Sequence, residues 1–310
     1  MVLDTGAAVT SIDPEAISRA TGRSTRHGKK TTLRRGKAGP LKFKKIKAHV
    51  HQMDHLALAL GYPVDGILGF NAFYKMLLTL DYHAGEVRVE MGELPPVDEV
   101  EIFHDLGDTR PYIRLDIGEK TVPVLIDSGF AGGLDLNIED QLDWLKKPTP
   151  VSMAVRYSEI VIQRAGRTSQ NLAFGPLLME QPVIHVSEGT RLAGAKLLSR
   201  FKLTFDHQNR RIRMLTDSDA TYLSGPIRDL GLGVRPRTNG MEVINIFGSL
   251  PAQEADIRIG DLLIAVDGNS VLERDCERLY QPDNPDPVVL TLQREGEVFD
   301  VELTPSVLVP

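Results

Sequence analysis

The chain reads as a mostly-β protein made of two homologous halves and a third β unit of its own pattern. Three observations carry this expectation. Thr79–Val89 aligns without a gap on Thr204–Met214 at a constant offset of 125, with Thr79/Thr204, Asp81/Asp206 and Arg88/Arg213 recurring in register, and a repeat of this kind outranks other signals of architecture. Apolar residues fall mainly in short alternating or β-branched runs: Tyr112–Ile117, Thr121–Ile126, Glu159–Gln163, Val288–Gln293 and Val298–Leu303, the period of half-buried strands. Turn-forming and acidic clusters at Leu94-Pro95-Pro96-Val97-Asp98-Glu99 and at Thr216–Ala220 with Ser224-Gly225-Pro226 punctuate the chain where units would end.

Each copy of the repeat reads as strand, polar turn, strand. Upstream, Leu3-Asp4-Thr5-Gly6-Ala7 matches Ile126-Asp127-Ser128-Gly129-Phe130 at an offset of 123. A Gly follows each Asp at a similar distance: Gly69 lies 65 residues after Asp4, and Gly194 lies 67 residues after Asp127. Three matches in one order define a first lobe over 1–91, a linker over 92–111 and a second lobe over 112–216, with a separate unit over 224–306. Helical pattern is confined to Asp13–Ala20, Ala72–Leu78, Ile138–Lys146 and Lys196–Phe201. Two turn-like basic segments, Arg34–Gly39 and Arg164–Arg167, lie about midway between each Asp and its later Gly.

Composition bounds the chemistry. The chain has 310 residues, 42% hydrophobic and 25% charged, with a formal net charge of -6. These are the proportions of a globular protein, and they argue against nucleic acid as partner. The single cysteine, Cys276, excludes a disulfide framework within the chain and any multi-cysteine metal site. No apolar run approaches the ~20 residues of a membrane-spanning helix, and no signal peptide opens the chain. From Arg19 to Lys47 there are twelve Lys or Arg and no Asp or Glu. This reads as a solvated face, or else as a basic lip that favours acidic partners. His49, His51 and His55 read as exposed histidines rather than metal ligands, and neither metal nor cofactor is expected.

The chemistry-bearing motif is the Asp-(Thr/Ser)-Gly tripeptide that ends an apolar strand in each half. Duplication would place the two loops face to face. Two carboxylates that close cannot both ionise, so they share a proton and titrate as a unit. Such a pair can hold a water, take its proton with one member and donate to a carbonyl oxygen with the other. Thr5 and Ser128 can hydrogen-bond across to the partner loop. Gly6 and Gly129 allow close backbone approach.

Asp4-Thr5-Gly6-Ala7 with Ile67-Leu68-Gly69, seen again as Asp127-Ser128-Gly129 with Ala193-Gly194, resembles the aspartic peptidases of the pepsin and retropepsin clan. The bacterial retropepsin-like enzymes with two lobes on one chain are the nearest in pattern. That resemblance covers most of residues 1–216. It implies two pseudo-symmetric acid-protease lobes, with Asp4 and Asp127 as the catalytic dyad supported by Thr5, Gly6, Ser128 and Gly129. It also implies an apolar-apolar-Gly segment beneath each catalytic loop, a flap hairpin over the cleft and a periplasmic or secreted setting. The second copy departs at Ala193-Gly194 and at Phe130-Ala131-Gly132-Gly133.

The order Gly231-Leu232-Gly233-Val234, Glu242–Ile246, Gly248–Ala252 and Ala255–Gly268 resembles a bacterial-type PDZ domain, with Asp256 where that family usually has Gly. Gly231, Leu232, Gly233 and Val234 would form its carboxylate-binding loop, taking a C-terminal peptide as an added strand. The expectation is a monomeric aspartic endopeptidase acting on protein or peptide substrates, its PDZ-like domain recruiting them. The alternative is a non-catalytic peptide-binding or scaffold protein that keeps both folds.

Alignment of the halves places Val2 and Leu3 on Leu125 and Ile126. The hairpin that precedes Asp127 then has no counterpart before Asp4. The expectation is an upstream segment reading strand, turn, strand, itself behind a signal peptide, with a linker strand around Val97–Phe103 as the alternative filler.

Overall fold

The computed structural model describes residues 1–38, 41–96, 100–102, 107–156, 159–216, 221–247, 250–272 and 284–310. Cys276 and the 217–220 boundary lie outside them. The chain divides into two compact units, one of Met1–Met53, Val64–Asp143 and Thr168–Ser224, the other of Asp54–Pro63, Trp144–Arg167 and Gly225–Pro310. The short helix Asp54–Leu60 and most of a long hairpin, Trp144–Arg156 with Glu159–Thr168, thus group with the C-terminal segment.

In the first unit the two halves repeat one strand pattern. Val2–Asp4 runs parallel to Gly66–Gly69, which pairs antiparallel with Thr10–Ile12, itself parallel to Leu41–Val50. In the second half Lys120–Ile126 runs parallel to Leu192–Ala193, which pairs antiparallel with Leu134–Leu136, itself parallel to Val183–Val186. Lys120–Ile126 has a further antiparallel partner in Tyr112–Ile117. The apolar alternation of these strands is what buries Ile113, Leu115, Ile117, Val124 and Ile126.

The repeated strand-turn-strand segments form a sheet of their own. Its order is Glu86–Glu90, Leu77–Asp81, Phe201–Asp206, Arg211–Thr216 and Val100–Ile102. Leu77–Asp81 and Phe201–Asp206 pair antiparallel with Thr79 opposite Thr204, and their hydroxyls hydrogen-bond at 3.0 Å. These are equivalent positions of the repeat, so the two copies meet at their own equivalent residues. Below the sheet the Phe70 and Phe205 rings pack edge to face at 5.6 Å. Val100–Ile102 pairs with Arg211–Arg213 and so does not lie beside Val2–Asp4; 97–99 and 103 fall outside the described residues.

The helical expectations fare unevenly. Asp13 caps the helix Pro14–Thr21 through hydrogen bonds from the Glu15 and Ala16 N–H groups. Expected helix Ala72–Leu78 is instead a 3-10 turn, Phe70–Phe73, followed by strand Leu77–Asp81. Ile138–Lys146 holds only the turn Glu139–Gln141 before a strand opens at Trp144. Lys196–Phe201 shrinks to Ala195–Leu198, and Phe201 opens the next strand. In the first case the apolar run Leu77–Leu80 finds its burial as a strand in a ladder, which its periodicity alone could not distinguish from a helix.

In the second unit the C-terminal sheet runs Leu232–Arg237, Gly240–Ile246, Leu262–Val266, Val288–Arg294 and Glu297–Leu303. It covers a core of Leu230, Val243, Ala252, Ile257, Leu263, Leu290 and Leu292. Leu232–Arg237 is the edge strand of this sheet, with Trp144–Arg156 alongside it.

The Thr79–Thr204 contact predicts a non-additive pair. Thr79→Val or Thr204→Val alone strands one hydroxyl against an apolar neighbour and costs about 1–2 kcal/mol. The double variant removes both and costs no more than one single change. Urea unfolding of the four proteins measures this, and simple additivity would show that the hydroxyls do not depend on each other.

Candidate functional site

The Asp4 and Asp127 loops are brought together by four crossed hydrogen bonds. The Thr5 hydroxyl donates to the Ile126 carbonyl at 2.7 Å and accepts from the Ser128 N–H at 3.0 Å. The Ser128 hydroxyl accepts from the Thr5 N–H at 3.1 Å and donates to the Leu3 carbonyl at 3.4 Å. Each hydroxyl thus reaches the residue preceding the opposite Asp, and the two arms are related by the same offset of 123 as the sequence repeat. Thr5 is 1% exposed, so its hydroxyl works without competition from water.

Close approach explains the glycines. A Cβ on Gly6 would stand 2.3 Å from Asp127 Cγ, and one on Gly129 would stand 2.8 Å from Asp4 Cγ. Each carboxylate is also held by its own loop. Asp4 Oδ1 accepts the Gly6 and Ala7 N–H groups at 2.8 and 3.0 Å, and Asp127 Oδ1 accepts the Gly129 N–H at 2.8 Å. Beneath the loops, the Phe70 N–H donates to the Ala7 carbonyl at 2.8 Å and the Ala195 N–H to the Phe130 carbonyl at 2.7 Å. Gly69 and Gly194 stand just before these donors, where a Cβ would meet the loop backbone at 2.7 and 2.4 Å. The Leu68-Gly69 and Ala193-Gly194 segments therefore occupy matching places, although the second lacks the larger apolar residue.

The electrostatics are those of a crowded acid pair. Burial, and then the Asp4 charge, push the Asp127 carboxyl up to about 6. Two further residues belong to the site and carry no motif. Tyr82 is held above its ordinary value by burial and by the Asp127 charge. It sits at the repeat position of His207, and that equivalence was the one available signal. Arg110 forks onto Asp108 at 2.9 and 2.7 Å and donates to the Gly6 carbonyl at 3.4 Å. Its guanidinium pKa is raised chiefly by Asp108, and Asp127 adds to this.

The flap candidates resolve differently in the two halves. Arg34–Lys37 lies in the hairpin Lys30–Ala38 with Leu41–Val50, whose turn at 39–40 is outside the described residues. Arg164–Arg167 is not a turn at all but part of strand Glu159–Thr168. Gly166 is there because a Cβ would meet the Lys146 carbonyl at 2.5 Å, a demand of strand packing that imitates a turn signal. The cations of the first hairpin are exposed, and Phe43, the one aromatic in the basic stretch, is 4% exposed and cannot stack on a base. His51 stacks edge-on against His27 at 4.8 Å and near His49 at 6.1 Å. Burial and these two rings lower its pKa. Among the described residues no group of three or more His, Cys, Asp or Glu is placed to hold a metal ion.

In the C-terminal unit, Gly231 and Gly233 are buried and Leu232 opens the edge strand. Asp256 has φ +55°, the left-handed conformation that Gly adopts freely and Asp tolerates. That is why the position is usually Gly, and Asp256 gains ion pairs to Arg258 and Arg294 at 2.7 and 3.6 Å there.

Residues 228–304 match the family model of the PDZ domain, so this segment is a PDZ domain, and protein or peptide partners follow from it. No curated protein matches the chain. No helix among the described residues is long and apolar enough to cross a membrane.

The raised Asp127 value has a measurable consequence for stability. An unfolded Asp releases its proton near 3.9, whereas folded Asp127 holds it to about 6. Between these values the folded state binds more protons, so stability falls as pH rises through that window and is level above it. The loss attributable to Asp127 is about 3 kcal/mol. Asp127→Asn should therefore unfold at higher urea than the wild type at pH 7.5, with the difference shrinking towards pH 4. An unchanged difference across the window would place Asp127 in ordinary solvent.

Proposed function

We propose that the first unit is an aspartic endopeptidase of two pseudo-symmetric acid-protease lobes and that the PDZ domain holds its substrate or partner peptides. The observation that supports this most is the crossed Thr5–Ser128 network, which sets two Asp loops face to face with Gly at both points of closest approach.

The chemistry follows from a shared proton. Asp4 Oδ1 accepts two loop N–H groups and Asp127 Oδ1 one, so Asp127 is the member that carries the proton and donates to the oxygen of the scissile carbonyl. Asp4 takes a proton from a water held between the carboxyls, and that water attacks the carbonyl carbon. Collapse of the tetrahedral intermediate breaks the C–N bond and passes a proton to the leaving amine. No covalent bond to the protein forms. Arg110 fixes the Gly6 carbonyl and so the loop that carries Asp4. Both halves lie on one chain, so a monomer suffices.

Asp127→Asn and Asp4→Asn should each abolish cleavage of an unstructured protein such as casein at every pH between 3 and 7. The double variant should lose little more, because the two groups act as a unit. A statine-containing inhibitor should block the wild type. Wild-type turnover in either single variant would remove the assignment. A wild type that cleaves nothing yet still binds peptides would turn the reading to a non-catalytic peptide-binding protein.

A further inference from the structure

The hairpin of Lys30–Ala38 and Leu41–Val50 carries charge that its own pairing opposes. The ladder sets Arg35 opposite Lys44 and Lys37 opposite Lys42, and all four side chains are exposed. Like charges directly opposite one another destabilise a ladder. Towards the root of the hairpin, Lys47 and Lys30 are exposed opposite Thr32 and His49. Arg19, at the start of the same basic stretch, pairs with Glu15 and Asp65. Among the described residues these six hairpin cations have no carboxylate partner.

The backbone leaves its ordinary conformation to keep them on one side. Phe43, Ile46 and Ala48 are all buried, although strict alternation would put Phe43 on the face opposite Ile46 and Ala48. Lys45, between Phe43 and Ile46, has φ +58°, a left-handed conformation that is costly for a long side chain. That one residue resets the alternation. Phe43 turns inward to meet the Phe73 ring edge to face at 6.4 Å, while Lys42 and Lys44 turn to solvent with Lys47. Lys30–Ala38 is also the edge of its sheet, with Leu41–Val50 as its one ladder partner among the described residues. An extended polypeptide can add to such an edge through main-chain hydrogen bonds, which neither a nucleic acid nor a lipid headgroup can supply as a strand.

We propose that this hairpin is a docking site for acidic polypeptide, which adds as an extended strand beside Lys30–Ala38 with Asp or Glu at alternate positions. Side chains on one face of a strand recur about every 6.7 Å, the same repeat that separates Arg35 from Lys37 on the exposed face. Opposite charges on neighbouring strands then compensate the like charges within the hairpin. The same cations refuse an apolar or basic strand, the ordinary hazard of an open edge, so one set of charges both guards the edge and selects what joins it. The proposal stands on the hairpin's register and exposure, and depends neither on peptide hydrolysis nor on the PDZ domain.

The test follows the fluorescence anisotropy of a labelled peptide of alternating Glu and Val, acetylated and amidated at its ends, at neutral pH and low salt. The full chain carries Asp127→Asn throughout, so that no peptide is consumed. The expected result is saturable binding that weakens as salt is raised. Adding Arg35→Glu with Lys37→Glu should weaken it at least about tenfold. The thermal melt of that variant should be no lower than its parent's, because each Glu then faces a Lys across the ladder. Arg35→Gln with Lys37→Gln should bind with intermediate affinity. N-methylation of the peptide at its Glu or at its Val positions, whichever set faces the hairpin, should also weaken binding at least about tenfold, since it removes the main-chain donors. A parent that binds no peptide would overturn the proposal, as would folded charge variants that bind as tightly as the parent. If neither N-methylated peptide binds more weakly, strand addition is wrong. An oligothymidylate of equal charge, or vesicles containing phosphatidylserine, held more tightly than the peptide and released by the same substitutions, would assign the surface to another class of partner and overturn the proposal.

Discussion

The crossed hydrogen bonds between Thr5 and Ser128 are the constraint on which the first unit depends. Bringing two carboxyls into contact is unfavourable, because burial and mutual repulsion both resist it. Something must hold the backbones together more firmly than the side chains push them apart. The two hydroxyls do this because each is used twice, once as donor and once as acceptor. Both arms end on the peptide groups flanking the opposite Asp. The position of each carboxyl is therefore set by the other half of the unit and not by its own strand alone. The Thr79–Thr204 contact repeats the same principle in the sheet formed by the two repeat copies, where equivalent residues of the two copies are each other's partners.

Much of this was legible in the chain, and the reasons are specific. The repeat preserves Thr79, Asp81 and Arg88 in both copies because those positions pair or turn in both. The tripeptides with their later Gly stand out because close backbone approach admits no other residue at Gly6, Gly69, Gly129 and Gly194. Strands such as Tyr112–Ile117 announce themselves because alternate side chains are buried. The apolar run Leu77–Leu80 reads as a helix because a buried strand and a buried helix use the same residues, and only the ladder partner decides. Gly166 carried a false turn signal, since the sequence does not distinguish a glycine that bends from one that makes room. Arg110, Tyr82 and Asp229 belong to no motif. Arg110 meets the Gly6 carbonyl and Tyr82 the Asp127 charge only once the chain has folded, whereas Asp229 acts on Gly231, two residues along.

The C-terminal unit shows how a familiar loop changes its behaviour through one neighbour. Asp256 takes a conformation usually left to Gly and recovers the difference through Arg258 and Arg294. Asp229 does something different, since it accepts the Gly231 N–H at the start of the loop that follows. A family match over 228–304 is blind to both, because neither alters the arrangement of strands. Segment 144–167 adds to the point: it lies along the chain between two segments of the first unit, yet it groups with this one, so the two units are interleaved in sequence.

The side chain of Phe130 has a consequence that reaches beyond its own loop. Where the first half has Ala7, the second has a ring that leaves no space for a methyl at Gly132 or Gly194, 2.4 and 2.5 Å away respectively. In an assembly of two identical chains such a ring would appear twice, and both copies would need the matching glycines at once. Joined in a single polypeptide, the halves are free to drift apart. One half can carry a bulky aromatic in its loop while the other keeps Ala7, and the difference becomes a heritable trait that selection can adjust in each half independently.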